Sequence, residues 1–231
     1  MPGAPGTLYV IATPIGNLAD VSERALSTLR AVDRIAAEDT RRTGKLLAHY
    51  GIDKPLTSYH DAAERKKAPE LVAALREGAT LALVSDAGTP LVSDPGYRLV
   101  RAALDAGIAV VPIPGASAVT ALLSVAGFAV DRFVFEGFLP QRDGRRRRRL
   151  EALRTEPRTI VLYESPHHVL RTLGEIEEIL GDREVVVGRE LTKLFEEILR
   201  GRISSLRSEM SGKPPRGEYT IAITGAEVPD D

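Results

Sequence analysis

Three polar stretches carry residue types that could do chemistry on a hydroxyl: Glu38-Asp39-Thr40-Arg41-Arg42, Ser58-Tyr59-His60-Asp61 and Ser85-Asp86-Ala87-Gly88-Thr89-Pro90. Each comes straight after a predicted strand. The first puts two acids beside two cations, and the second puts a histidine beside an acid. Groups of this kind orient or deprotonate a hydroxyl, or else form a local ion-pair network. In the third, Gly88 lets backbone approach a ligand with no Cβ in the way, and Pro90 stiffens the turn. Asp86 can accept hydrogen bonds from hydroxyls or an ammonium group. A plain strand-to-helix turn with a capping aspartate is the competing reading. The stretch Ser85–Gly96 contains no Lys or Arg, which argues against a phosphate ligand. The chain has no G-x-G-x-x-G, and Thr43-Gly44-Lys45-Leu46 lacks the rest of a Walker A motif, so kinases and dinucleotide oxidoreductases lose ground.

A second polar set lies in the C-terminal half: Arg189-Glu190-Leu191-Thr192-Lys193, Glu196 and Arg216-Gly217-Glu218-Tyr219. Between the two sets, Gly144 is followed by five arginines, Arg145, Arg146, Arg147, Arg148 and Arg149. From Arg142 to Arg154 there are seven arginines against Asp143 and Glu151, a local net of +5 in a chain of net −1. A solvated helix face is the ordinary reading of such a run. Phosphate contact is favoured here, because neutralising phosphates releases counterions and rewards a cluster. Arginine also stacks on unpaired bases. Of the nearby aromatics, Phe133 and Phe135 are read as core. His167-His168 would point about 100° apart on a helix, so one metal ion could hardly take both, and no metal site is expected. Glu164-Ser165-Pro166 reads as a helix start with serine as the cap.

The elements that must position these groups alternate. Leu8–Ala12 is a short apolar strand ending at the turn Thr13–Asn17. Asp20 followed by Glu23 reads as a helix start, with Val21, Ala25, Leu29 and Val32 at helical spacing. Residues 34–37 read as a strand, 43–50 as a helix stopped by Gly51, and Leu71, Leu75 and Gly78 as a helix end. Thr80–Val84 is a strand, 96–106 a helix, 108–113 a strand and 117–126 a buried helix. Further on come strands at 133–135, 159–163, 184–188 and 219–224, with a turn at 137–140 and a helix at 169–180. Continuously apolar strands alternating with helices imply a mostly parallel sheet covered on both faces. Ligands of such sheets sit at the carboxyl ends of the strands, where Thr13–Asn17, Ser85–Pro90 and Pro114–Ala118 should cluster. The termini, 1–6 and 227–231, are expected to fray.

At 231 residues, 43% hydrophobic and 27% charged, the chain can bury one large or two small cores. The near-zero net charge excludes a polyelectrolyte binder as a whole. The absence of cysteine excludes a disulfide framework and fits the cytoplasm. The start, MPGAPGTLYV, lacks a signal peptide's basic segment and apolar core. Ala106–Val130 carries no charge, but Pro112, Pro114 and Gly115 interrupt it, so a membrane span is not expected.

The motifs LYVIATPIGNLAD, AEDTR, SYHD, SDAGTPLVSDPG, PIPGASA, FEGFLP, YESPHH, RELTKLFEE and RGEYT occur in this order. As an ordered set over residues 7–225 they closely resemble the tetrapyrrole methylase-like superfamily of S-adenosylmethionine enzymes, in the branch that methylates small-subunit ribosomal RNA. The resemblance implies an α/β fold of two domains, 1–115 with a mostly parallel sheet and 116–231 with a mixed sheet and a basic loop at 141–150. The cofactor, S-adenosylmethionine, would fold into the cleft between them, and the protein would be a homodimer. The reaction implied is 2′-O-methylation of a cytidine ribose in the decoding region of 16S rRNA, in the 30S subunit. Pro14, Asp86, Ala87, Gly88, Pro90, Ser117 and Ala118 sit on the matching cofactor loops, and Leu191 on a matching C-terminal motif.

A sulfonium, an ammonium and a carboxylate, with no phosphate, suit a Gly/Pro turn bearing one Asp. Candidates to take the 2′-hydroxyl proton are Glu38, Asp39, His60, Asp61 and Glu218. Arg41 and Lys193 could hold phosphates or stabilise the developing alkoxide. Arg142 and Arg145–Arg149 would contact RNA, although the unbroken run of five departs from the pattern. A small-molecule tetrapyrrole methylase would not need that run. A non-catalytic rRNA-binding factor would not need the Asp86–Gly88 loop.

Overall fold

The computed structural model describes residues 4–212 and 214–227, so the frayed ends expected at 1–3 and 228–231 lie outside the described residues. Gly6 is not frayed: its N–H donates to the Leu75 carbonyl at 2.8 Å. The chain divides into two compact units, Met1–Ser117 and Ala118–Asp231.

The first unit holds a five-stranded sheet in the order β3-β2-β4-β1-β5. Its strands are β1 (Thr7–Ile11), β2 (Arg34–Ala37), β3 (Leu56–Ser58), β4 (Leu81–Val84) and β5 (Ala109–Ile113). Every neighbouring pair is parallel. The central β4, Leu-Ala-Leu-Val, is buried along its whole length, as a strand covered on both faces must be. Helices α1 (Glu23–Ala31), α2 (Thr40–His49), α3 (Asp61–Arg76) and α4 (Tyr97–Asp105) supply the covering layers. Ile11, Leu29, Ile35 and Leu47 form one core, and Leu8, Leu71, Leu75, Leu83 and Leu99 another. Each fully buried side chain of this size contributes about 1.5–3 kcal/mol.

The second unit holds a mixed sheet in the order β6-β7-β10-β8-β9. Its strands are β6 (Phe133–Phe138), β7 (Thr159–Glu164), β8 (Glu184–Arg189), β9 (Glu197–Arg202) and β10 (Tyr219–Ile223). Only β6 and β7 run parallel. Helices α5 (Ala118–Leu123), α6 (Asp143–Ala152), α7 (Val169–Leu180) and α8 (Ile203–Met210) complete the unit. Leu150, Leu162, Leu173, Ile176, Val187 and Ile221 lie in its core.

Several local expectations are corrected. The first helix is capped by Ser22, whose Oγ accepts from the Ala25 N–H at 3.1 Å, while Asp20 ends a separate 3-10 turn, Leu18–Asp20. α2 starts at Thr40 rather than 43, because Asp39 caps it by accepting the Arg41 N–H at 2.8 Å. α5 is shorter than 117–126. Gly137 and Phe138 belong to β6, with a bulge between Phe135 and Gly137 where a turn was expected. Phe133 is 40% exposed because β6 is an edge strand, and Phe135 is half-buried against Tyr163 rather than core. α7 starts at Val169, preceded by a turn in which Ser165 accepts through its carbonyl, so the Ser165 hydroxyl is not the cap. The strand β9 and helix α8 were not anticipated. Among the described residues, no helix is long and apolar enough to cross a membrane.

Candidate functional site

In the first unit the loops after β1, β4 and β5 do cluster. Thr13 and Gly88 exchange backbone hydrogen bonds of 2.9 and 3.0 Å, and the Thr13 hydroxyl donates to the Ser85 carbonyl at 3.2 Å. Gly88 holds φ +78°, a region that disfavours other residues. Gly115 packs so closely that a Cβ there would meet the Ala12 Cβ at 3.0 Å. Pro14, Asp86, Ala87, Gly88, Pro90 and Ser117 therefore lie on loops gathered at one end of one sheet. Pro14, Gly88 and Pro90 are buried, while Asp86, Ala87 and Ser117 are half-exposed.

The loop after β2 is fastened to the loop after β4 by a reciprocal clasp. The Glu38 carboxylate accepts the Asp86 N–H at 3.2 Å, and the Asp86 carboxylate accepts the Asp39 N–H at 3.0 Å. Arg42 Nη1 lies 3.4 Å from the other Asp86 oxygen. Burial pushes the Glu38 pKa up, and the Asp86 and Asp61 carboxylates push the same way against the Asp86 N–H and Arg42. Asp39 behaves oppositely. Arg41 grips both its oxygens, at 3.2 and 2.8 Å, and holds it well below the usual carboxylate range. His60 is exposed at the start of α3 and makes no side-chain capping bond.

Sequence reasoning missed two acids here. Asp94 has its pKa raised to about 6, first by burial and then by Glu38, Asp86 and Asp61, with a Ser85 hydrogen bond opposing. Glu64 is buried on α3, accepts the Gly96 N–H at 2.6 Å and lies 3.5 Å from Arg98. It anchors the far end of the loop, in which Leu91 (φ 74°) and Ser93 (φ 67°) are held in the left-handed region. Such strain persists only where surroundings over-determine it. The second aspartate of SDAGTPLVSDPG and the spacing of Glu64 on a helix gave no signal for either role.

The second unit gathers the other set. Lys193 Nζ donates to Glu190 and Glu218, both at 2.8 Å, and Glu190 also accepts the Glu218 N–H at 2.9 Å. Burial lowers the Lys193 pKa, but the two carboxylates outweigh it and raise it, so Lys193 is a fixed cation. Glu190 (φ 50°) and Thr192 (φ 67°) share the unusual backbone region. Leu191 is buried against Gly188, which Leu122 of α5 also approaches; α5 begins at Ala118.

The expected basic loop at 141–150 is instead a helix, α6 with its approach from Gln141. Its arginines are not equivalent. Arg146 is 2% exposed and pairs with Glu175 through two bonds of 2.5 and 2.9 Å, so it is corrected from surface contact to buried clamp. Arg147 grips Glu178 and Arg149 grips Glu136. Arg142, Arg145 and Arg148 are exposed.

Comparison with known proteins follows the same lines. The family of tetrapyrrole (corrin/porphyrin) methylases matches residues 7–207. A Thermotoga maritima protein named ribosomal RNA small subunit methyltransferase I is 50% identical over 222 residues, covering 96% of this chain and 100% of the relative. A Synechocystis protein of the same name is 50% identical over 98% of this chain and 81% of its own length. Among solved structures, the methyltransferase CobJ superposes with TM-score 0.72 at 18% identity, covering 96% of this chain and 95% of that one. Uroporphyrin-III C-methyltransferase from Thermus thermophilus, complexed with S-adenosyl homocysteine, gives 0.66 at 17% identity, covering 94% and 97%. At these identities the structural likeness shows the fold alone.

Proposed function

The chain belongs to the tetrapyrrole (corrin/porphyrin) methylase family, among the ribosomal RNA small subunit methyltransferase I proteins, and from that premise we propose an S-adenosylmethionine-dependent 2′-O-methyltransferase acting on a cytidine ribose in the decoding region of 16S rRNA. The observation that carries the reading is half identity, sustained over nearly the whole length, to relatives bearing that name. The reading includes two domains, 1–115 and 116–231, a cytoplasmic homodimer, and the 30S subunit as the partner.

The donor set at the strand ends suits this cofactor. Glu38, Asp61, Asp86 and Asp94 act on one another electrostatically, and Arg42 is the cation that joins them. An excess of carboxylates favours a cationic ligand and repels phosphate. S-adenosylmethionine, when bound, supplies a methyl group on a sulfonium. Pro14, Asp86, Ala87, Gly88, Pro90, Ser117, Ala118 and Leu191 are the residues that would hold it.

The chain's own groups then have to place and deprotonate the ribose hydroxyl. With the methyl group supplied by that cofactor, the ribose hydroxyl would have to give up its proton to a group of this chain. Among the acids that the sequence singled out, Glu38 is the acceptor this arrangement favours, since burial and the neighbouring carboxylates raise its pKa while it stands on the loop clasped to Asp86. Asp39 is a weaker acceptor because Arg41 stabilises its anion. Arg41 and Lys193 remain as cations for phosphate or for the developing alkoxide.

The test is transfer of labelled methyl from S-adenosylmethionine to 30S particles lacking the modification, with nuclease mapping of the label. Label on the ribose of a decoding-region cytidine is the expected result. Cofactor binding without label would overturn the acceptor, and no cofactor binding would overturn the methyltransferase reading.

A further inference from the structure

The six arginines from 142 to 149 divide by what they touch. Arg146 and Leu150 on one face of α6, and Leu153 at its C-cap, fall at helical spacing, and all three are buried. Arg146 thus occupies a core position, which it can do because Glu175 on α7 meets its guanidinium bidentately at 2.5 and 2.9 Å. One turn along α7, Glu178 takes Arg147 through two bonds of 2.9 and 2.6 Å. From β6, Glu136 takes Arg149 at 2.5 and 2.6 Å. Asp143 is occupied by Arg171 at 2.6 Å and by Arg146 at 3.5 Å. Glu136, Glu175 and Glu178, which reach this helix from neighbouring elements, are therefore committed.

Arg142, Arg145 and Arg148 are left. They recur at intervals of three, are exposed, and make no ion pair among the described residues. Glu151, the other acid on α6, acts electrostatically on Arg147. A guanidinium without a protein carboxylate, repeated from the N-cap Arg142 into the first turns of α6, complements a polyanion whose charges also repeat.

We propose that Arg142, Arg145 and Arg148 form the RNA-phosphate contact stripe of this protein, while Arg146, Arg147 and Arg149 hold α6 in place and carry little of the binding. This rests on the reading of RNA as substrate. Each phosphate neutralised contributes about 0.7 to the slope of log affinity against log salt on single strands and about 0.9 on duplex. The stripe therefore accounts for about 2–3 of that slope.

The experiment compares the wild-type protein with two variants, the triple R142A/R145A/R148A and the double R147A/R149A. Binding to unmodified 30S particles is titrated across salt, with thermal unfolding and S-adenosylmethionine binding measured on the same samples. The expected result is a slope reduced by about 2–3 for the triple variant with its melting temperature unchanged, and a near-wild-type slope for the double variant. A wild-type slope in the triple variant, or a larger loss in the double variant, overturns the division while leaving the RNA reading intact. Absence of salt-dependent 30S binding by the wild-type protein, with cofactor still bound, overturns the RNA reading itself and the stripe with it.

Discussion

Two acids at the strand ends of the first unit and the paired acids of the second have opposite company. Glu38 and Asp94 sit among other carboxylates, and burial together with that crowding pushes their pKa values up. Glu178 and Glu190 each meet a cation, and are held below their usual range. For Glu178 the Arg147 hydrogen bond leads; for Glu190 burial opposes and Lys193 wins. An acid locked to a guanidinium is a fastening. An acid crowded by its own kind is poised to exchange a proton, and that contrast separates candidate chemistry from scaffold better than residue type does.

The contrast can be broken in four places. Glu38→Gln keeps an oxygen to accept the Asp86 N–H but cannot take a proton. If Glu38 is the base, methyl transfer should fall by about 10²–10⁴ with cofactor affinity retained, as single-turnover rates and calorimetry would show. Equal losses in both measurements would reduce Glu38 to a loop fastener. Arg146→Ala leaves the half-buried Glu175 with Arg171 alone and should lower stability by about 3–5 kcal/mol in denaturant titrations. A loss under about 1 kcal/mol would mean the site is wetter than its burial implies.

Asp94 tests the crowded side through pH. Its folded pKa of about 6 lies above the unfolded value, so the native state holds the extra proton between the two. Stability contributed by that proton is present at low pH and is lost as pH rises from about 4 to about 6. Because the side chain is partly exposed, about 1 kcal/mol is the expected size after screening. Comparing Asp94→Asn with wild type over that range should show the loss flattened; parallel curves would remove Asp94 from the crowded set. The smallest effect belongs to Arg147→Ala, whose pair with Glu178 is surface-exposed, so the melting temperature should stay close to that of the wild type.

Much of the frame was legible. Four-residue apolar runs such as Leu81–Val84 announce a doubly covered parallel strand, and the punctuation after them locates the loops that gather around Thr13 and Gly88. β9 was not legible, because Glu-Ile-Leu-Arg-Gly-Arg at a sheet edge has neither an apolar run nor clean alternation. The helix ends were misplaced where a nearer side chain, Ser22 or Asp39, won the cap. Asp94 and Glu64 escaped notice because what distinguishes them is burial among residues distant in the chain. The same holds for Arg146, whose partner lies 29 positions away.

That last pairing bears on how the protein specifies one fold among alternatives. Five identical residues in a row give a helix no face of its own: turned by one residue, α6 would present the same chemistry to its neighbours. Leu150 and Leu153 set a coarse orientation, and Glu136, Glu175 and Glu178 read it out one guanidinium at a time. The leucines single out one rotation, since a turn by one residue could still offer each carboxylate a guanidinium but would lift Leu150 and Leu153 out of the core. A repetitive segment thereby acquires a unique setting from residues that are not themselves repetitive.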